Sequence, residues 1–161
     1  MTKYQQGVGL IEVLVSLILL AIGVIGFIAL QMRAISSSAE ASQIVLATNL
    51  AHDLSERMRM NRDGFKFYGK TQKQVESCLN VFCNAEQMAT YDFDQVNRRA
   101  IDLGMSIKIL DCPGAILKRQ CVYVAWGTTT ATNNESDRDC TKGTAYAPKA
   151  QCIIVETYNY E

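Results

Sequence analysis

The residues able to do chemistry fall into a few groups whose spacing narrows what each can do. Glu12 is the only charge between Lys3 and Arg33 and opens an uncharged apolar run. No base, nucleophile or second carboxylate stands beside it, so its chemistry is charge pairing rather than catalysis. An unpaired carboxylate in hydrocarbon is very costly. It must either snorkel to the headgroups or find a cation. A polar cluster, Asp53, Arg57, Arg59, Asn61 and Arg62, ends a helical pattern. Arg57 lies four residues after Asp53, where an intrahelical pair contributes about 0.3–0.5 kcal/mol, and the arginines complement the negative helix end. The cluster is either a solvated terminus or a docking edge. Six cysteines, Cys78, Cys83, Cys112, Cys121, Cys140 and Cys152, lie in the second half. They include no Cys-x-x-Cys, and the lone His52 sits on the helix as a surface residue, which argues against zinc. Asn133, Asn134, Glu135, Asp137 and Asp139 form an oxygen-rich run. It lacks the spacing and glycine of a helix-loop-helix calcium site and reads as a solvated loop. No phosphate loop, Ser-His-Asp set or catalytic carboxylate pair is present. The expectation is a protein with no enzymatic activity, cofactor or metal.

These groups need elements to hold them. The 161 residues carry 16 Lys+Arg against 16 Asp+Glu, a balance that argues against a dedicated nucleic-acid binder. The 48% of hydrophobic residues is spread unevenly. From Val13 to Leu30 only Ser16 is polar, and at 1.5 Å per residue this run with its flanks spans a bilayer core of about 30 Å. A secretory signal peptide has a shorter apolar region; on that alternative Ala39-Glu40-Ala41 precedes cleavage and a soluble protein begins near Ser42. No proline occurs before Pro113, so nothing breaks a helix from Val8 to about Arg62. Beyond Arg33, Ile35, Ala39, Ser42, Leu46, Leu50, Leu54 and Met58 recur at spacings of three and four, an amphipathic stripe. Gly64 is expected to end this helix, and FKFYGKTQKQ to form an irregular turn with its aromatics toward the helix.

The remainder reads as a small head. A second helix is expected from about Phe93 to Leu103, with Asp92 as its cap, Phe93, Val96, Ala100 and Leu103 as its stripe, and Gly104 as its stop. Ser106–Leu110, Cys121–Trp126 and Cys152–Tyr158 read as strands, with Val122, Val124 and Trp126 on one face and Tyr123 on the other. The fold class is α+β: a long N-terminal helix, half transmembrane and half amphipathic, packed on a small antiparallel sheet.

The segment GVGLIEVLVSLILLAIGV resembles the class III signal of type IV prepilins. The resemblance implies a cleaved leader of residues 1–7 ending at Gly7, a methylated mature terminus at Val8, and Glu12 as the fifth mature residue. It implies that Glu12 pairs with the α-amino group of a neighbouring subunit's first residue. The organisation is then a transmembrane or filament-core half-helix over 8–33, an amphipathic half over 34–62, and a globular head over 63–161.

A narrower resemblance lies in ATNLAHDLSERMRMNRDG, Ala47 to Gly64, and in the strand CVYVAWG. Both are similar to PilV-type minor pilins. This implies inner-membrane insertion with a periplasmic head, then incorporation near a pilus tip. It also implies prepilin peptidase, other minor pilins and the major pilin, the inner-membrane assembly platform and a large tip adhesin as partners. Adhesion and twitching motility follow from the family. The alternatives are a pseudopilin of type II secretion and a DNA-uptake pilin, the latter supported only by the arginines near Arg57–Arg62. An oxidising periplasm implies disulfides. Six cysteines allow fifteen complete pairings; nearness along the chain favours Cys78–Cys83, Cys112–Cys121 and Cys140–Cys152.

Overall fold

A computed structural model describes residues 9–70, 77–114, 119–134 and 136–157. Helix α1 runs from Leu10 to Met60, as expected of a stretch without proline. The chain divides into two units, Met1–Ala41 and Ser42–Glu161.

In the first unit, α1 is apolar all round from Val13 to Leu30, Ser16 apart. Leu14, Ile18, Ile25 and Phe27 are exposed together with the rest of the run, and an 18-residue window reaches a mean hydropathy of 3.0 with none of it buried. A helix uniformly apolar and uncovered is one built for a lipid or helical environment. Ile35 and Ala39, the first members of the expected stripe, are exposed too.

In the second unit, α1 buries Ala47, Leu50, Ala51, Leu54 and Met58. The stripe is thus covered from Leu46 onward, because only there do facing elements exist. After Met60 the chain tightens into a 3₁₀ turn, Arg62–Phe67. The α-helix stops at Asn61 and not at Gly64. Gly64 lies within the 3₁₀ turn, buried, where a Cβ would collide with the Ala85 carbonyl and the Asn61 side chain. Tyr68 is buried, and Phe65 and Phe67 pack partly against the core; the rest of the expected turn, from Thr71, lies outside the described residues.

Helix α2 spans Ala85–Asp102, beginning well before Phe93. Its cap is Asn84 and not Asp92: Asn84 Oδ1 accepts from the Gln87 N–H at 2.8 Å while Gln87 Oε1 accepts from the Asn84 N–H at 2.9 Å. This reciprocal box satisfies two amides that a helix start leaves orphaned. The buried stripe is Ala89, Val96 and Ala100 with Thr90 and Asp92. Leu103 is the C-cap and 40% exposed, and Gly104 turns the chain out at φ +70°, a conformation that favours glycine.

Three antiparallel strands follow in the order β1 (Met105–Asp111), β2 (Gln120–Trp126) and β5 (Cys152–Thr157). Ile107 faces Val124, and Val122 faces Val155. As the central strand, β2 is buried on both faces. Val122, Val124 and Trp126 join Leu54, Met58 and Val96 in the main core, and Cys121, Tyr123 and Ala125 meet Ala131, Cys140 and Cys152 on the other side. The second layer comes from the long β2–β5 connection. It folds back through a Thr130–Asp139 bridge and a small hairpin of β3 (Thr141–Lys142) and β4 (Ala145–Tyr146).

Candidate functional site

Glu12 lies in the first turn of α1, where a carboxylate complements the helix dipole. The Ser16 hydroxyl donates to the Glu12 carbonyl at 2.7 Å, which satisfies the one polar side chain of the apolar run from within the helix. Gly7 and Val8 lie outside the described residues.

The polar cluster at the far end of α1 has a different organisation from a free docking edge. Arg57 Nε donates to Asp53 Oδ1 at 2.8 Å along the helix, and its Nη1 donates to Asp92 Oδ1 at 2.8 Å across to α2. The Tyr68 hydroxyl donates to Asp92 Oδ2 at 2.9 Å and reaches the Arg57 carbonyl at 3.1 Å. Arg99 completes the chain by pairing with Asp53 Oδ2 at 3.2 Å. The guanidinium fork thus joins two helices, and Tyr68 locks the turn between them.

Electrostatics follow the geometry. The hydrogen bond that Arg57 donates to Asp53, aided by Asp92 and opposed by burial, raises the Arg57 pKa and keeps its charge fixed. Burial first, and the Asp92 charge second, push the Tyr68 hydroxyl above its ordinary range, so it remains a donor.

The other cluster members separate. Asn61 is also internal: its Nδ2 donates to the Ala85 carbonyl at 2.8 Å, and its Oδ1 accepts from the Gly64 N–H. Among the described residues Arg59 pairs with Glu56 alone, along the helix, both more than half exposed, and Arg62 is exposed at the start of the 3₁₀ turn. The structure brings Asp53, Arg57 and Asn61 into the fold and leaves Arg59 and Arg62 at the surface. Asp92, Tyr68 and Arg99 were missed at the sequence level. The available signal was an acid at Asp92 on the same stripe as Ala89, Val96 and Ala100.

The cysteines pair as Cys78–Cys83, Cys112–Cys121 and Cys140–Cys152, with Cα separations of 5.6, 5.0 and 5.8 Å. The first closes a short loop ahead of α2, the second staples the β1–β2 connection, and the third ties the long connection to β5. In that connection Asp139 accepts from the Thr130 and Thr132 hydroxyls and from the Ser136 N–H. These donors, Thr132 foremost, lower its pKa. Its lone pairs serve the loop itself. Glu135 lies outside the described residues, and His52 is exposed on α1.

A long apolar-to-amphipathic helix, a small antiparallel sheet and three disulfides define the type IV pilin α+β fold. The comparisons with known proteins agree. Residues 2–28 match the prokaryotic N-terminal methylation motif, and residues 29–94 match the family model described as type IV pilin Tt1218. The two matches run end to end from residue 2 to residue 94, just past the middle of α2, and support a type IV pilin family for this chain. No curated protein and no solved structure matches it.

Proposed function

We propose that this chain is a minor pilin of a type IV pilus, of the PilV type, which takes part in the priming and tip complex and supports adhesion and twitching motility. It is inserted as a prepilin, cut after Gly7 by prepilin peptidase and methylated at Val8. The assembly platform then draws it from the inner membrane into the fibre beside other minor pilins and the major pilin.

The observation that carries this reading is Glu12 at the head of an uncovered apolar helix, inside a matched methylation motif. In hydrocarbon its carboxylate gains most from a cation at a fixed position, and the methylated amine of a neighbouring subunit supplies one. The pair registers each incoming helix against the last.

The test is a Glu12→Val variant in piliated cells. Mass spectrometry of the mature terminus should show normal cleavage after Gly7 and a methylated Val8, while incorporation into sheared pili falls severalfold. Unchanged incorporation would remove the pairing role, and a mature terminus near Ser42 would remove the pilin reading.

A further inference from the structure

The three disulfides sit in unequal surroundings. Cys121, Cys140 and Cys152 are 3%, 0% and 7% exposed, so Cys112–Cys121 and Cys140–Cys152 each have at least one buried half. Cys78 and Cys83 are both partly exposed. Thiol–disulfide exchange begins with a thiolate reaching one of the two sulfurs, so access decides which bond exchanges.

What the fold does once a bond has opened differs as well. The Cys112 N–H donates to the Arg119 carbonyl at 2.8 Å, and Cys121 lies opposite Leu110 in the β1–β2 ladder. The Cys140 N–H donates to the Thr132 carbonyl at 2.9 Å, its carbonyl accepts from Ala147 at 3.0 Å, and Cys152 belongs to β5. Thiols released at these two places stay adjacent and close again. Among the described residues, no backbone hydrogen bond ties Cys78–Cys83 to the rest of the fold, and the Leu79 N–H donates to the Ser77 hydroxyl within its own segment. Packing does not hold this ring either, since Phe82 is fully exposed and Leu79 and Val81 are 79% and 68% exposed. Only the bond itself closes it. Cys83 immediately precedes Asn84, whose side chain and backbone form the reciprocal cap of α2, so the bond also fixes the approach to that cap.

We infer that Cys78–Cys83 is a redox switch, opened selectively by a dithiol reductant, whose opening loosens the first turn of α2 while both cores persist. One thiolate of the dithiol bonds to a sulfur of the pair and expels the other as a thiolate. The second thiol of the reductant then displaces the mixed disulfide. Two electrons pass to the pair, two protons complete the Cys78 and Cys83 thiols, and the reductant leaves as its own disulfide. In oxidising surroundings the ring is closed and Asn84 is held in place to cap α2. In reducing surroundings the loop is free and the cap opens more often. This behaviour belongs to the chain itself, whatever fibre it joins.

The test incubates the full chain in detergent micelles with dithiothreitol at neutral pH and without denaturant. Free thiols are then blocked with N-ethylmaleimide and the adducts mapped by peptide mass spectrometry. Cys78 and Cys83 should be labelled about tenfold faster than the other cysteines, giving a product that keeps Cys112–Cys121 and Cys140–Cys152. In that product the Gln87 amide, which donates to Asn84 Oδ1, should exchange its hydrogen severalfold faster. The Val122 and Val124 amides, inside the sheet, should keep their protection. Cys78→Ser/Cys83→Ser should show the same faster Gln87 exchange without any reductant. Opening of either other disulfide as fast as Cys78–Cys83 overturns the selectivity. Unchanged Gln87 exchange in the opened form or in the double variant overturns the switch, and so does lost protection at Val122 and Val124, which would make the bond a support of the whole fold.

Discussion

Arg57 and Asp92 stand 35 residues apart in sequence and meet at 2.8 Å, so one guanidinium fastens the end of the long helix to the middle of α2. Asp92 has a side chain only 12% exposed, and Arg57 one 26% exposed. Removing either partner leaves a charge with little water to receive it.

For this reason Arg57→Met is expected to destabilise the second unit by about 2–3 kcal/mol, below the full cost of breaking a wholly buried pair because Arg57 keeps some solvent. Arg57→Lys should recover only part, since an ammonium cannot reach Asp53 and Asp92 with two arms of a planar fork. Urea denaturation of the full chain in detergent micelles, followed by Trp126 fluorescence, reads both. The double variant Arg57→Met/Asp92→Leu should lie above Arg57→Met alone, because no orphan charge remains. A double variant less stable than either single one would contradict the account.

The long helix, its apolar and amphipathic halves, the three main strands and the two faces of β2 were legible in the sequence, because each rests on a local period: no proline before Pro113, stripes at three and four, alternation in CVYVAW. The start of α2 was not. Asp92 before Phe93 imitates a cap, whereas the true cap, Asn84, is preceded by a disulfide loop that looks irregular. The same misreading hid Asp92 from the polar cluster, whose meaning depends on a partner that only the tertiary fold brings near. Ile35 and Ala39 fit the stripe by spacing, but burial also needs something to pack against.

Gly64 offers a second check. Its Cβ position is occupied by the Ala85 carbonyl and the Asn61 amide, neither of which can retreat without breaking the Asn61–Ala85 hydrogen bond. Gly64→Ala should therefore cost about 1–3 kcal/mol by overpacking, although the site has no positive φ. Gly143→Ala, at φ +64° with nothing within contact distance, should instead show only backbone strain, about 1 kcal/mol. Thermal melts of the two variants should differ in that order; equal Tm losses would count against the close approach at Gly64.

The loop carboxylate Asp139 makes a prediction about pH. Its folded pKa is lowered, chiefly by the Thr132 hydroxyl, relative to an unfolded value near ~3.9. The unfolded chain thus binds more protons in that window, and stability rises with pH through it. The contribution is fully present above about pH 4 and disappears as pH falls through the folded value. Hydrogen exchange should report it: the Thr130 and Cys140 amides, bonded to the Arg138 and Thr132 carbonyls, should lose protection on acidification below pH 4. In Asp139→Asn the same amides should exchange faster at neutral pH and show little further change on acidification. Unaltered protection in that variant would mean that the disulfide alone holds the connection.

The three disulfides should differ in what their loss does, because they close on different surroundings. Cys140 and Cys152 are buried against β2, so Cys140→Ser/Cys152→Ser removes the cross-link and also places two hydroxyls in an apolar layer. A disulfide of this loop length contributes about 2–3 kcal/mol through the unfolded chain, and an unsatisfied buried hydroxyl costs about 1–3 kcal/mol more. Cys78–Cys83 closes a short loop whose Leu79, Val81 and Phe82 face solvent. Cys78→Ser/Cys83→Ser should therefore lower the urea midpoint far less, while it loosens the one feature the bond constrains, the outward display of those three side chains. Midpoints measured on both double variants in micelles should separate clearly. If the Cys78–Cys83 pair proved as costly as the Cys140–Cys152 pair, the apolar loop would have to be packing against the fold, contrary to the exposure of Leu79, Val81 and Phe82.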